Sequence, residues 1–118
     1  MSDIKTFRDL VAWQRAMQLA KELYGATASM PERERFGLTS QMRRAAVSVP
    51  SNIAEGYARQ STDDYIRFLR VARGSLAELA TQIDLSAQME LIQIPTRLTE
   101  LLAETDRVLQ GLIRSLEP

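Results

Sequence analysis

LTSQMRRAAVSVPSNIAEGYAR, running from Leu38 to Arg59, is the stretch whose reading decides the fold. Wound at about 3.6 residues per turn, it separates into three faces. Met42, Ala45, Val49, Ile53 and Gly56 form an apolar stripe, and Gln41, Arg44, Ser48, Asn52, Glu55 and Arg59 recur beside it as a polar one. The third face carries Ser40, Val47, Ser51, Ala54 and Ala58, all small or medium and uncharged. A surface helix normally sets one apolar stripe against a charged opposite side. No charge falls between Ala45 and Ala54, so this segment reads as the central helix of a bundle, covered on more than one side and meeting another subunit. An interior proline costs about 3 kcal/mol in a helix. The polar stripe nevertheless keeps its phase across Pro50, from Arg44 through Ser48 and Asn52 to Glu55. The expectation is therefore one helix kinked at Pro50 rather than two.

Upstream, Thr6 and Asp9 have the spacing of a capping box. A first helix is expected to open there and to end near Ala28, ahead of Met30-Pro31. Its core stripe reads as Leu10, Trp13, Met17, Ala20 and Tyr24, with Ala16 and Leu23 alongside. The linker PERERFG is short enough to fold the next helix back antiparallel. Downstream, Ser61-Thr62-Asp63-Asp64 is a hydroxyl cap followed by acids in the first turn. It opens a third helix with Tyr65, Leu69, Ala72, Leu76, Leu79 and Ile83 on one side and Gly74-Ser75 as a point of close approach. After a turn from Met89 to Pro95, a fourth helix carries Leu98, Leu101, Leu102, Thr105, Leu109, Leu112, Ile113 and Leu116. Rods of equal length, about 30 Å each, joined by short turns predict an all-α, antiparallel up-down four-helix bundle, a single domain over residues 1–118.

The composition narrows the chemistry. The 118 residues, 45% hydrophobic and 25% charged, suit one soluble globular domain. There is no Cys, which removes disulfides and thiolate chemistry, and no His, which removes the usual general base and the commonest metal ligand. An enzyme is not expected, nor a metal or cofactor. MSDIKTFRD has no apolar core, so no signal peptide is expected, and no apolar run is long enough to span a membrane. The expected setting is cytoplasmic. Net charge is zero but unevenly spread. Arg33 to Arg73 holds eight Arg against four acids, whereas Glu78 to the end holds seven acids against three Arg.

Two groups of residues are candidate sites. The stripe Gln41, Arg44, Ser48, Asn52, Glu55 and Arg59 reads first as a seam between subunits, satisfied by Arg–Glu pairs and bonds from Asn52. A ligand or nucleic-acid groove lined by the same residues is the alternative. Arg67, Arg70 and Arg73 step along the third helix, and with Arg43 they could contact phosphate. A solvated face is the plainer reading of that set. Trp13 is expected in the core.

Four motifs carry a resemblance: F-x-x-L-x-x-W at Phe7, Leu10 and Trp13; P-x-x-E with G-L-x-x-Q-x-R-R-A from Pro31 to Ala45; S-x-P-x-N-I-A-E-G from Ser48 to Gly56; and G-S-x-x-E-L from Gly74 to Leu79. Together the chain resembles the small bacterial four-helix-bundle family first noticed as proteins encoded in 23S rRNA intervening sequences. Relatives of that family are accessory subunits of diversity-generating retroelements. The resemblance implies a bundle that assembles into a ring, a homopentamer first. For the retroelement relatives it also implies binding of a reverse transcriptase and of RNA or DNA. The reading that results is a homo-oligomeric scaffold with a protein partner, with a nucleic-acid-binding accessory protein as the alternative.

Overall fold

A computed structural model describes residues 3–118. Among them are four α-helices and no strand: α1 (Val11–Thr27), α2 (Leu38–Tyr57), α3 (Thr62–Gln88) and α4 (Thr96–Leu116). Each helix packs on its neighbours in the chain, α1 also packs on α4, and the backbones of the diagonal pairs α1–α3 and α2–α4 stay more than 8 Å apart. The cross-section is therefore a square with the core at its centre, in a molecule measuring 47 × 22 × 21 Å. The expected all-α four-helix bundle is what forms.

Local chemistry sets most of the helix ends. Glu34, in a short 3-10 turn from Glu32 to Glu34, accepts the Leu38 N–H at 3.1 Å through its carboxylate and so caps α2. Ser61 Oγ accepts the Asp64 N–H at 3.1 Å and caps α3, with Asp63 and Asp64 in the first turn as expected. At the other end of α3 the Leu91 N–H reaches the Ser86 carbonyl at 2.9 Å and the Glu90 N–H reaches Ala87 at 3.0 Å. That is the double bond of a Schellman stop, with Glu90 in the left-handed region at φ 57°.

α2 continues through Pro50 without a break, and the proline ring is buried. Its apolar stripe is the buried one: Met42, Ala45, Val49, Ile53 and Gly56, joined by Ala46. Most of that face lies against α3. Ser86 Oγ meets Met42 Sδ near one end, Ser48 meets Ser75 midway, and Gly56 meets Tyr65 and Phe68 at the other end. These contacts run in opposite senses along the two helices. α3 and α4 bury the residues their periodicity marks, Leu69, Ala72, Leu76, Leu79 and Ile83 on one and Leu98, Leu101, Thr105, Leu109 and Ile113 on the other.

Three expectations change. The capping box at Thr6 and Asp9 forms, but it closes only a 3-10 turn over Phe7–Asp9. Leu10 is then extended, so α1 begins at Val11 and its phase is reset. The buried stripe of α1 is Ala12, Ala16, Leu19, Leu23 and Thr27, while Met17 and Tyr24 are exposed and Trp13 is half-buried, edge-on to Phe7 at 5.4 Å. The rods are not equal either, since α1 has 17 residues and α3 has 27. Finally, at Gly74-Ser75 it is Ser75, buried and 2.8 Å from Ser48, that meets α2, while the tightest glycine contact falls at Gly56 and not at Gly74. A Cβ at Gly74 would meet nothing within 4 Å, whereas one at Gly56 would stand 2.8 Å from Phe68 Cβ.

Candidate functional site

The polar stripe of α2 divides along its length. In the middle, Ser48 Oγ lies 2.8 Å from Ser75 Oγ of α3, and Asn52 Nδ2 donates to both the carbonyl and the hydroxyl of Ser48, at 2.8 and 2.9 Å. Those three side chains satisfy one another within the chain. At the C-terminal end Glu55 reaches Arg59 at 3.9 Å, with both side chains substantially exposed. Such a pair contributes about 0.5 kcal/mol or less. Arg59 also lies over the Phe68 ring at 4.6 Å. At the N-terminal end Gln41 and Arg44 are exposed, and Arg44 pairs with no carboxylate among the described residues. Gln41, Arg44 and Ser48 line a shallow recess on the α3 side together with Glu78.

The four Arg considered for phosphate contact are all engaged inside the chain. Arg43 donates to Thr27 Oγ1 at 3.0 Å and to the Tyr24 carbonyl at 3.3 Å, and lies over the Tyr24 ring at 4.5 Å. It ties the start of α2 to the end of α1. Arg67 pairs with Asp64 at 3.4 Å, Arg70 with Glu117 at 2.8 Å and Arg73 with Asp106 at 2.8 Å. Partial burial pushes the Asp106 carboxyl up, but hydrogen bonds from Arg73 and Gln110 and the Arg73 charge outweigh it and hold the group below its ordinary value. Tyr65 moves the other way: burial, with Tyr57 beside it, pushes its hydroxyl up to about 12.

The largest departure from an ordinary surface lies at the turn before α2. Phe36 is 88% exposed, with the Arg35 guanidinium 5.2 Å from its ring centre. Tyr24 and Val47 stand near it, 44% and 43% exposed, around an open hollow of about 590 Å³ that Ser40, Arg43 and Arg44 also line. The uncharged third face of α2 continues from this hollow: Ser51 and Ala58 are exposed, and Ala54 is half-buried. In the sequence, the signal for this position is a lone aromatic inside the polar linker PERERFG.

Among the described residues no group of three or more acidic side chains is placed to hold a metal, and no helix is long and apolar enough to cross a membrane. The arrangement offers contact surface rather than a converging set of reactive groups.

Among solved structures, a protein of unknown function from the S23 ribosomal protein family of Bacteroides thetaiotaomicron VPI-5482 is similar with a TM-score of 0.63, over 90% of this chain and 94% of that one, at 21% identity. The likeness is one of fold. Among curated proteins, none matches this chain. The family model of the 23S rRNA-intervening sequence protein matches residues 8–114, nearly the whole length of the bundle with the motifs from Leu10 to Leu79 inside it. On that match the chain belongs to the 23S rRNA-intervening sequence protein family.

Proposed function

We propose that this chain is a non-enzymatic scaffold that works as a homo-oligomer, assembled through the outward face of α2 and the Phe36 turn. The ring of five implied by the family resemblance is the subunit number adopted, and the ring presents a repeated surface to a protein partner. The observation that carries this reading is Phe36 at 88% exposure beside Tyr24, Val47 and the uncharged face of α2. Covering a phenyl side chain is worth roughly 1.5–3 kcal/mol, and contiguous exposed apolar surface marks interaction sites. The absence of His and Cys from the sequence supports a role without catalysis, and the absence of Cys fits a cytoplasmic setting. RNA or DNA binding through Arg43, Arg67, Arg70 and Arg73 draws less support, because each guanidinium already has a partner in the chain.

Multi-angle light scattering of the purified protein tests the reading. The expected mass is a multiple of the 13.3 kDa chain, five by preference. A lone 13.3 kDa particle at working concentration ends it.

A further inference from the structure

The hollow beside the Phe36 turn is lined by Arg35, Arg43 and Arg44 and by no acid. Arg43 is held in place by its bonds to Thr27 and Tyr24, which use two of its N–H groups and leave others free. Arg35 reaches only Glu32, at 3.5 Å with both side chains largely exposed, a contact that water screens. Arg44 has no carboxylate partner among the described residues. The N-terminus of α2 meets the same hollow through Thr39 and Ser40. There the Gly37 N–H bonds the Glu34 carbonyl, the Glu34 carboxylate caps Leu38, and the Gln41 N–H makes the first bond of the helix, to Gly37. The Thr39 and Ser40 N–H groups in between have no acceptor within the helix. Thr39 adds an independent sign. It is only 9% exposed at the floor of the hollow, and its hydroxyl has no hydrogen-bond partner among the described residues. Buried polar groups are almost always matched, so an unmatched one in the wall of a cationic hollow points to a partner from outside the chain.

We infer that this hollow binds a small phosphate monoester, its phosphate set against Arg43, Arg44 and the first turn of α2 and its organic body against Phe36 and Val47. A helix N-terminus and a guanidinium each favour an oxyanion. A phosphate suits the site better than a carboxylate, because it carries more charge and its three oxygens can meet donors on both Arg and on the helix end together. The organic body follows from size and lining. At about 590 Å³ the hollow is much larger than a phosphate alone, and its remaining wall is the exposed apolar surface of Phe36 and Val47. Every residue of the site comes from one chain, so the inference goes beyond the homo-oligomeric reading and does not depend on it.

Isothermal titration calorimetry with phenyl phosphate tests this, with inorganic phosphate and benzoate as comparison probes. The parent is expected to bind phenyl phosphate saturably and to bind both comparison probes more weakly. Arg44→Gln is expected to weaken phenyl phosphate and inorganic phosphate alike by about tenfold or more, as for one lost charged hydrogen bond. Arg44 is exposed, so helicity by circular dichroism is expected to match the parent, and Thr39→Val takes the place of Arg44→Gln if that variant loses helix. Phe36→Ala is expected to weaken phenyl phosphate and leave inorganic phosphate unchanged. Arg67→Gln, which alters a cation away from the hollow, is expected to change neither. The inference is overturned if phenyl phosphate shows no saturable binding, if benzoate binds as tightly, if Arg44→Gln binds as the parent does, or if Arg67→Gln weakens binding equally. A single-stranded oligonucleotide that outcompetes phenyl phosphate at the same salt also overturns it, in favour of a nucleic-acid surface. Light scattering reads assembly separately: a lone chain that binds phenyl phosphate leaves this inference standing while the homo-oligomeric reading fails.

Discussion

A methyl group at position 56 would stand 2.8 Å from the Phe68 Cβ and 3.1 Å from the Tyr65 carbonyl, closer than side-chain carbons are found to packed neighbours. Backbone and Cβ cannot swing aside as a side-chain tip can, so α2 would have to lift from α3. Gly56→Ala gains up to about 1 kcal/mol of helix propensity and loses about 1–3 kcal/mol to overpacking. The expected net effect is destabilisation by about 1–2 kcal/mol in urea melts, and a variant as stable as the parent would show that the helices part without cost. The sequence marks Gly56 and Gly74 alike, as small residues on helices. Which of them a neighbour presses on depends on where Phe68 and Tyr65 lie, and no spacing rule carries that. The same holds along the polar stripe. Ser48 and Asn52 are one turn apart, so their bond is legible from the 3.6-residue period. The Ser75 hydroxyl that completes the group comes from 27 residues away.

At the level of the helices, ends were more legible than faces. Ser61 and the acids after it, and Pro31 after α1, act within a turn of their own position, and local signals of that kind read well from a sequence. The end of α3 is different because its left-handed residue is Glu90, not the glycine or asparagine that usually marks a Schellman stop. A β-carbon there costs roughly 1–2 kcal/mol, so Glu90→Gly is expected to raise stability by about 1 kcal/mol after the added chain entropy of glycine. A rise in the thermal midpoint checks this, and a fall would mean that the Glu90 side chain holds something the loss of strain does not offset. The buried face of α1 lies one residue away from the stripe Trp13, Met17, Ala20 and Tyr24. Apolar side chains occupy two adjacent stripes of that helix, so periodicity alone admits either. Which of them turns inward is set by how α1 packs between α2 and α4, and spacing along one segment does not carry that.

For the molecule as a whole, the proposed assembly would run through the uncharged outward face of α2. A carboxylate at Ala54 would sit in the middle of that face, half-buried already in the single chain. Burying an unpaired charge between subunits costs several kcal/mol, so Ala54→Glu is expected to give single chains that remain helical, by light scattering together with circular dichroism. An unchanged assembly mass would place the contact elsewhere. The sequence by itself determined the class of fold, the count of helices, the cap at α3 and the core of α2, α3 and α4, because each of these follows from residue type and spacing along one chain segment. Only the tertiary structure decided that Arg70 and Arg73 are neutralised by Glu117 and Asp106, that Gly56 is the tight contact, and that Phe36 stands out in solvent. Those outcomes depend on which helices are neighbours and at what depth they meet, and the relevant partners lie tens of residues apart in the chain.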